Sequence, residues 1–268
     1  MKTCPNCGTQ NRPDARFCKA CGHVLAATSV GGRTVVLPRT EPGRMTADEA
    51  KTIVERVNKT FGQTAAGPMP GTMAGADPNQ REHTTLVIDR SGSMGEEFDQ
   101  GENKMVAAAR GAINLILNKA RIDPDDEIAL VAFNSRGRVL LPFQPLRTHK
   151  RAMIQALQSL SPDNGTDINK GLKEARNLFD WSRQDVVRRV VLLTDGHGGR
   201  PEKTAEALKE QGTVVDVIGV GDTPENVNER LLRQIASRVG GQLRYRFIKD
   251  HQTLLAHYTR LANKTATM

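Results

Sequence analysis

Acidic and hydroxyl side chains occur at three points of the sequence where an oxygen-binding metal site could form. Asp89, Ser91 and Ser93 alternate directly after a short apolar run. Thr166 follows a glycine further along the chain, and Asp195 comes directly after a second apolar run. These are hard oxygen ligands with only two carboxylates among them, a set that suits Mg²⁺ better than zinc, with Mn²⁺ or Ca²⁺ as alternatives.

Four cysteines form a second group with metal-binding chemistry. They make two Cys-x-x-Cys-Gly units, at Cys4, Cys7, Cys18 and Cys21. Each unit can turn both sulfurs towards one ion, and two units complete the tetrahedral thiolate site that is typical of structural zinc. A short head with little core would draw most of its folding energy from that metal. Redox pairs and disulfides are the alternatives, but neither accounts for the paired glycines.

The elements that must position the oxygen ligands alternate between strand and helix. Strands are predicted over 84–89, 127–134, 139–143, 187–194, 214–220 and 243–248. Helices are predicted over 104–121, 149–160, 167–179, 201–211, 227–239 and 253–261. The connection into 139–143 is too short for a crossover, so this strand should be antiparallel, and Pro142 and Pro145 place it at the sheet edge.

This alternation predicts an α/β domain with a doubly wound, mostly parallel sheet, one antiparallel edge strand and helices on both faces. The near-continuous apolar run Val190–Leu193 predicts a central strand that is buried on both faces. In such a sheet, ligands bind outside the carboxyl ends of the strands. The three oxygen-bearing loops should therefore meet at one edge of the sheet.

The oxygen ligands, in this order and at these strand ends, resemble the metal-ion-dependent adhesion site (MIDAS) of von Willebrand factor type A (VWA) domains. The matching residues are Asp89, Ser91, Ser93, Thr166 and Asp195. The resemblance covers residues 84–262 and implies a Rossmann-like fold. It also implies that these residues hold a divalent cation, directly or through water, and that a partner's Asp or Glu carboxylate fills an open coordination position. In some members ligand binding moves the last helix, which here would be 250–262.

The cysteine head resembles a short bacterial zinc ribbon over residues 4–22, a module that binds nucleic acid in some families and proteins in others. Two further features lie between the head and the large domain. Thr34, with Leu37 three residues later, looks like a ligand for a forkhead-associated reader of phosphothreonine. The apolar stripe of a predicted helix over 45–62 is expected to pack on the large domain, with docking of a partner as the alternative.

The predicted organisation therefore has six parts. They are a zinc ribbon (1–23), a linker (24–44), an amphipathic helix (45–62), a flexible linker (63–83), the VWA domain (84–262) and a tail (263–268). Two residues beside the oxygen ligands are interpreted as exposed loop side chains. Arg90 is taken as a solvated arginine and not as a rim contact for an acidic partner, and His197 as a loop histidine and not as a ligand contact.

The composition of the chain and the motifs that it lacks argue against several classes of protein. No stretch approaches the ~20 apolar residues of a membrane-spanning helix, and no apolar signal segment follows Lys2, so we expect a cytoplasmic protein without a membrane partner. The net charge of +8 is spread along the chain and argues only weakly for nucleic acid. Phosphate-binding loops, nucleophile elbows and His-Glu-x-x-His are missing, so we expect no enzyme.

The sequence thus favours a non-enzymatic intracellular adaptor, whose VWA domain binds an acidic protein ligand through Mg²⁺ and whose zinc ribbon is a second interaction module. By resemblance, intracellular bacterial members work beside AAA+ ATPases or kinase and phosphatase signalling systems. The alternative is a nucleic-acid (RNA) binding protein that uses the ribbon and a basic surface, with the VWA domain as scaffold. Metal-dependent hydrolysis ranks last, because no general base is placed beside the oxygen ligands.

Overall fold

The computed structural model describes residues 2–3, 10–11, 80–99 and 101–265. Several predicted features lie outside the described residues: the four cysteines, the linker 24–44 with Thr34, and the helix 45–62. The chain divides into two compact units, Met1–Thr64 and Ala65–Met268. In the first unit, Lys2–Thr3 pairs antiparallel with Gln10–Asn11. The second unit holds the α/β domain.

The centre of the α/β domain is a six-stranded sheet. Its strands are β1 (Arg81–Asp89), β2 (Glu127–Phe133), β3 (Gly137–Pro145), β4 (Val186–Thr194), β5 (Val214–Val220) and β6 (Tyr245–Ile248). They lie in the order β6-β5-β4-β1-β2-β3. Only β3 is antiparallel to its neighbour, and it lies at the edge with both of its prolines. The predicted doubly wound sheet and its antiparallel edge strand are confirmed.

Within the described residues, six α-helices cover the two faces of this sheet. They are α1 (Lys104–Ile122), α2 (Leu146–Gln158), α3 (Ile168–Leu178), α4 (Glu202–Glu210), α5 (Glu229–Ile235) and α6 (His251–Leu261). One apolar layer contains α1, α2 and α6, and the other contains α3, α4 and α5. Strand β1 alternates between them, with Leu86 and Ile88 in the first layer and Val87 in the second. Burial of both faces explains why these strands are continuously apolar.

The helix predicted over 227–239 is shorter in the structure and ends at Ile235. Ala236 turns to an extended conformation, after which the Ser237 N–H donates to the Val215 carbonyl over 2.9 Å. The Val215 N–H in turn donates to the Ser237 hydroxyl over 2.9 Å. These bonds tie the segment to β5 and outweigh its helical pattern, so residues 238–239 form a short strand with 242–243.

A network of buried ion pairs lies at the amino edge of the sheet, where the parallel strands begin. Its members are Glu82, Lys119, Asp123, Asp126, Arg189, Asp216, Arg244 and Lys264. Lys119 contacts both Glu82 and Asp126, the latter over 3.0 Å. Arg189 is fully buried and binds Asp216 over 2.7 Å. Burial disfavours ionised Asp216, but Arg189 and Arg244 outweigh it and hold the pKa of this carboxyl below its ordinary value.

The residues that follow α6 are part of this network, although 263–268 is predicted as a tail. The Lys264 ammonium binds Asp126 over 2.7 Å, Asp123 over 2.8 Å and the Gln80 carbonyl over 2.9 Å. Burial opposes its charge, but the two carboxylates prevail and raise the pKa of Lys264. The Thr265 N–H donates to Glu82. Residues 263–265 therefore anchor the chain to the start of β1.

The partly buried imidazole of His257 predicts a pH-dependent loss of stability. Burial lowers its pKa from 6.5 to about 4; Asp216 opposes this shift, while Arg260 and Arg246 add to it. Between these two pH values the unfolded chain binds a proton that the folded domain does not. The free energy of unfolding should therefore fall by up to about 3 kcal/mol as the pH drops through this range.

Urea unfolding at about pH 7.5 and about pH 4.5 measures this loss, with His257→Gln as the matched variant. The wild-type protein should lose more stability over this range than the variant, because only the wild type has the titrating ring. An equal loss in both proteins would show that other groups account for the pH dependence.

Candidate metal site

The predicted oxygen ligands lie at the carboxyl edge of the sheet, where the parallel strands end. Asp89 is the last residue of β1, and Asp195 directly follows β4. These two strands are neighbours, while the chain passes through β2 and β3 on the other side of β1 before it returns to β4. The space between β1 and β4 is therefore the topological switch point, where ligands bind in doubly wound sheets.

Four of the five predicted side chains form a continuous hydrogen-bonded cluster. The Ser91 N–H donates to Asp89 Oδ1 over 2.8 Å. The Ser91 and Ser93 hydroxyl oxygens lie 3.1 Å apart, and the Ser93 hydroxyl donates to Asp195 Oδ2. The structure thus brings together oxygen atoms from two loops that are more than a hundred residues apart in sequence.

A turn of 3₁₀ helix over Gly92–Gly95 directs the two serines to the same point. The Met94 N–H donates to the Ser91 carbonyl over 3.0 Å, and the Met94 side chain is fully buried in the first apolar layer. The apolar anchor fixes the turn, so both hydroxyls face the carboxyl edge. Local backbone geometry and core packing together set the Asp-x-Ser-x-Ser arrangement.

Thr166 lies on a third loop that packs against the loop after Asp195. Gly198 touches it so closely that a Cβ added to the glycine would lie 2.9 Å from the Thr166 Cβ. The Gly198 carbonyl also accepts from the Ile168 N–H over 3.4 Å. Within the described part of the chain, the Thr166 hydroxyl makes no hydrogen bond to the other four side chains. The structure places Thr166 at the same carboxyl edge of the sheet as the other four residues, on a neighbouring loop.

Arg90 is not the solvated side chain that the sequence predicts. Its guanidinium donates to the Ser161 carbonyl over 3.2 Å and pairs with Asp163 over 3.4 Å. The Asp163 N–H donates back to the Arg90 carbonyl over 2.7 Å, and Asn134 donates to the Asp163 carboxylate over 3.1 Å. Arg90 therefore joins the serine loop to the segment that leads to Thr166. Because Arg90 and Asp163 are far apart in the sequence, no local pattern indicates that they connect these two segments.

Thr194 is a positioning residue that the motif does not include. Its hydroxyl donates to Asp89 Oδ2 over 2.6 Å and accepts from the Gly196 N–H over 3.0 Å. Burial raises the pKa of Asp89 to about 6, against hydrogen bonds from Thr194 and Ser91, and nearby Asp195 adds to the rise. A hydroxyl directly before Asp195 at a strand end is the sequence signal that could have revealed it.

Among the described residues, the buried carboxylates of this site differ from the other buried carboxylates because they lack a cationic partner. Glu82, Asp126 and Asp216 are buried, and each pairs with a lysine or arginine. Asp89 and Asp195 are 0% and 2% exposed, and in the described structure neither pairs with a Lys or Arg. Buried carboxylates without a counter-charge are costly, and a divalent cation would supply that charge. The donor set therefore fits the ion that the sequence predicts.

The chemistry of this donor set also limits the class of metal. Within residues 80–99 and 101–265, no three His, Cys, Asp or Glu side chains come together as a metal-binding group. A cation at the carboxyl edge would be held by hydroxyl oxygens, two carboxylates and water, which suits a hard ion such as Mg²⁺. His197 is exposed, as predicted, and its Nε2 lies 2.8 Å from the Asn226 carbonyl, which can only accept.

A doubly wound, mostly parallel sheet with an Asp-x-Ser-x-Ser turn at its switch point is the arrangement that the sequence analysis expects of a VWA domain. Comparison with protein families agrees: the von Willebrand factor type A domain matches residues 85–257, and a zinc-ribbon domain matches residues 3–25. Since the first match spans more than half of the chain, this chain belongs to the VWA family. The fold and the family together indicate a protein-interaction scaffold.

Related proteins share the large domain. The uncharacterized protein sll0103 of Synechocystis sp. is 30% identical over 180 residues, which cover 64% of this chain and 40% of that protein. The Bacillus subtilis protein YwmC is 27% identical over 59% of this chain and 74% of that protein. The chain thus spans less than half of the Synechocystis relative.

A solved structure shares the fold. An aerotolerance-related membrane protein from Bacteroides fragilis superposes with a TM-score of 0.55 at 20% identity, covering 68% of this chain and 98% of that chain. At that identity the likeness concerns the fold alone. In the present chain, no helix among the described residues is both long and apolar enough to cross a membrane.

Proposed function

We propose that this protein is a non-enzymatic adaptor that captures an acidic protein ligand through Mg²⁺ at the carboxyl edge of its VWA domain. The ligands of the ion would be Asp89, Ser91, Ser93, Thr166 and Asp195. The ion would supply an electrophilic point for a partner's Asp or Glu carboxylate. The observation that supports this most directly is the pair of buried carboxylates, Asp89 and Asp195, without a lysine or arginine partner in the described structure.

The few negative charges of the donor set favour binding of a carboxylate ligand over simple storage of the ion. Two carboxylates neutralise a divalent cation, and the three hydroxyls add dipoles but no further charge. A third carboxylate from a partner can therefore approach the ion without strong repulsion. Catalysis has less support, because His197 donates its Nε2 hydrogen to Asn226, so that nitrogen is not available as a base.

The zinc ribbon over 3–25 is proposed as a second interaction module, held together by zinc on Cys4, Cys7, Cys18 and Cys21. Thiolate ligands persist in a reducing compartment, which supports a cytoplasmic location for the adaptor. An AAA+ ATPase or a kinase and phosphatase system would be the acidic partner or its neighbour. Phosphorylated Thr34 would add a docking point for a forkhead-associated domain.

The first test is cation binding, with Mn²⁺ as a spectroscopic probe and Mg²⁺ as competitor. Asp195→Asn keeps the size of the side chain but removes one charge and should weaken Mn²⁺ binding by at least about tenfold. Asp222→Asn is the matched control, because Asp222 is an exposed aspartate just beyond β5 at the same edge of the sheet. Equal affinity in the two variants would contradict the metal site.

The second test concerns the partner. Wild type, Asp195→Asn and Asp222→Asn are used as baits in Mg²⁺ buffer without chelators, which would strip a ribbon zinc, and captured proteins are identified by mass spectrometry. A protein retained by wild type and Asp222→Asn but lost with Asp195→Asn supports the proposal and names the partner. Identical captures by all three baits would contradict capture through the ion.

A further inference from the structure

A second candidate binding site lies on the helical face of the domain, apart from the metal residues. A cavity of about 580 Å³ opens between the ends of α4 and α5 and the short hairpin that follows them. Four cationic side chains line it: Lys209, Arg230, Arg233 and Arg238. Among the described residues that line the cavity, none is a carboxylate. The cavity is open to solvent, and its lining carries a single sign of charge.

The local charge balance leaves an excess of two positive charges. Lys209 pairs with Glu206 over 3.1 Å, and Arg233 pairs with Glu229 over 3.1 Å, each within its own helix. In the described part of the chain, Arg230 and Arg238 have no carboxylate within ion-pair distance. A dianion would therefore complete the neutralisation of this cluster.

Three of the four cations make contacts within the domain before any ligand binds. Lys209 is held by the Gln234 carbonyl over 3.2 Å in addition to its carboxylate, and Arg233 lies over the Tyr245 ring at 5.6 Å. Arg238 donates to the Gly241 carbonyl over 3.5 Å. Such contacts reduce the side-chain entropy that would be lost when an anion binds.

Apolar side chains complete the cavity beside the cations. Ala236 is buried and Leu243 is partly buried, and both line the cavity. A ligand could therefore place a charged group on the arginines and an organic part against this apolar surface. The volume lies in the range of small-molecule sites and is too small for an extended macromolecule.

We propose that this cavity binds a small phosphate-bearing molecule of mononucleotide size. A phosphate monoester carries about two negative charges at neutral pH, which matches the excess of the cluster. The planar forks of Arg230 and Arg238 suit phosphate oxygens, with the Lys209 ammonium as a further point charge. The base or other organic group would contact Leu243. The site uses none of the five metal-site residues and does not depend on the proposed Mg²⁺ function.

Calorimetric titration of the full chain with AMP, ADP and inorganic pyrophosphate tests the proposal. The double variant Arg230→Gln/Arg238→Gln should weaken binding by at least about tenfold. The matched control is Arg136→Gln/Arg200→Gln, which removes the same charge from two exposed arginines outside the cavity. The control should bind within about twofold of wild type, and circular dichroism should show that both variants are folded.

Three results would overturn the proposal. No binding of any probe to wild type at millimolar concentration excludes the site. Equal weakening in both double variants shows diffuse attraction to a basic protein. Binding of a ten-residue oligothymidine, with steep salt dependence and without nucleotide binding, assigns the surface to nucleic acid. Asp195→Asn should bind the nucleotides as wild type does, so failure of the metal site and failure of this cavity give different results.

Discussion

Lys119→Met should lower the free energy of unfolding by about 3 to 5 kcal/mol, the largest stability effect that we expect from one substitution. The Lys119 ammonium is fully buried between Glu82 and Asp126. Methionine fills a similar volume but carries no charge. The network has four cations and four carboxylates, so in the variant three cations would face four carboxylates. One buried negative charge would remain without compensation.

Urea denaturation followed by circular dichroism measures this effect, and Lys203→Met is the matched control on an exposed position of α4. The control should change stability by less than about 0.5 kcal/mol. If Lys119→Met does not fold, the double variant Lys119→Met/Asp126→Asn should restore a folded domain, because it removes the unpaired charge as well. A loss below about 1 kcal/mol for Lys119→Met, or no recovery in the double variant, would refute this view of the network.

Gly198→Ala should weaken cation binding by about tenfold while the domain remains folded. Gly198 has a φ of +92°, and an added methyl group would lie 2.9 Å from the Thr166 Cβ and closer still to the Thr166 carbonyl oxygen. A backbone carbonyl cannot turn away as a flexible side chain can. The loop that holds Thr166 must therefore move, and with it one of the proposed ligands.

Gly212→Ala separates this effect from simple backbone strain. Gly212 has a φ of +77°, and nothing lies within 4 Å of a Cβ placed there. Both variants should lose about 1 to 3 kcal/mol of stability from the positive φ, but only Gly198→Ala should lose Mn²⁺ affinity. The result that would overturn the argument is unchanged Mn²⁺ affinity in Gly198→Ala, or an equal loss in Gly212→Ala.

The sheet could be predicted because its central strands are apolar on both faces. The runs that end at Asp89 and at Asp195 fix which strands are buried, and the short connection before β3 fixes its direction. That the oxygen-bearing loops would meet could be predicted for a related reason: strand ends in a parallel sheet share one edge. Local pattern was sufficient for the sheet and for this meeting of loops, while the role of the residues as metal ligands stays a prediction that rests on the resemblance to VWA domains.

The remaining features depend on contacts between distant residues. In the sequence, Arg90 and Asp163 look like ordinary surface residues. Only in the folded chain does their ion pair connect the serine loop to the segment that leads to Thr166. The end of α5 at Ile235 is set by bonds between Ser237 and Val215, not by a helix-breaking residue. No local propensity encodes such partners, so sequence alone predicts a longer helix and a solvated arginine.

The anchoring of Lys264 has a consequence for how the domain folds while it is being synthesised. Asp126 lies 138 residues before the lysine that binds it, and Glu82 lies 183 residues before its partner Thr265. Until those late residues leave the ribosome, these carboxylates have fewer partners at the edge where β1 and β2 begin. The early strands should therefore form a reversible intermediate, which becomes stable when the last residues of the domain have emerged.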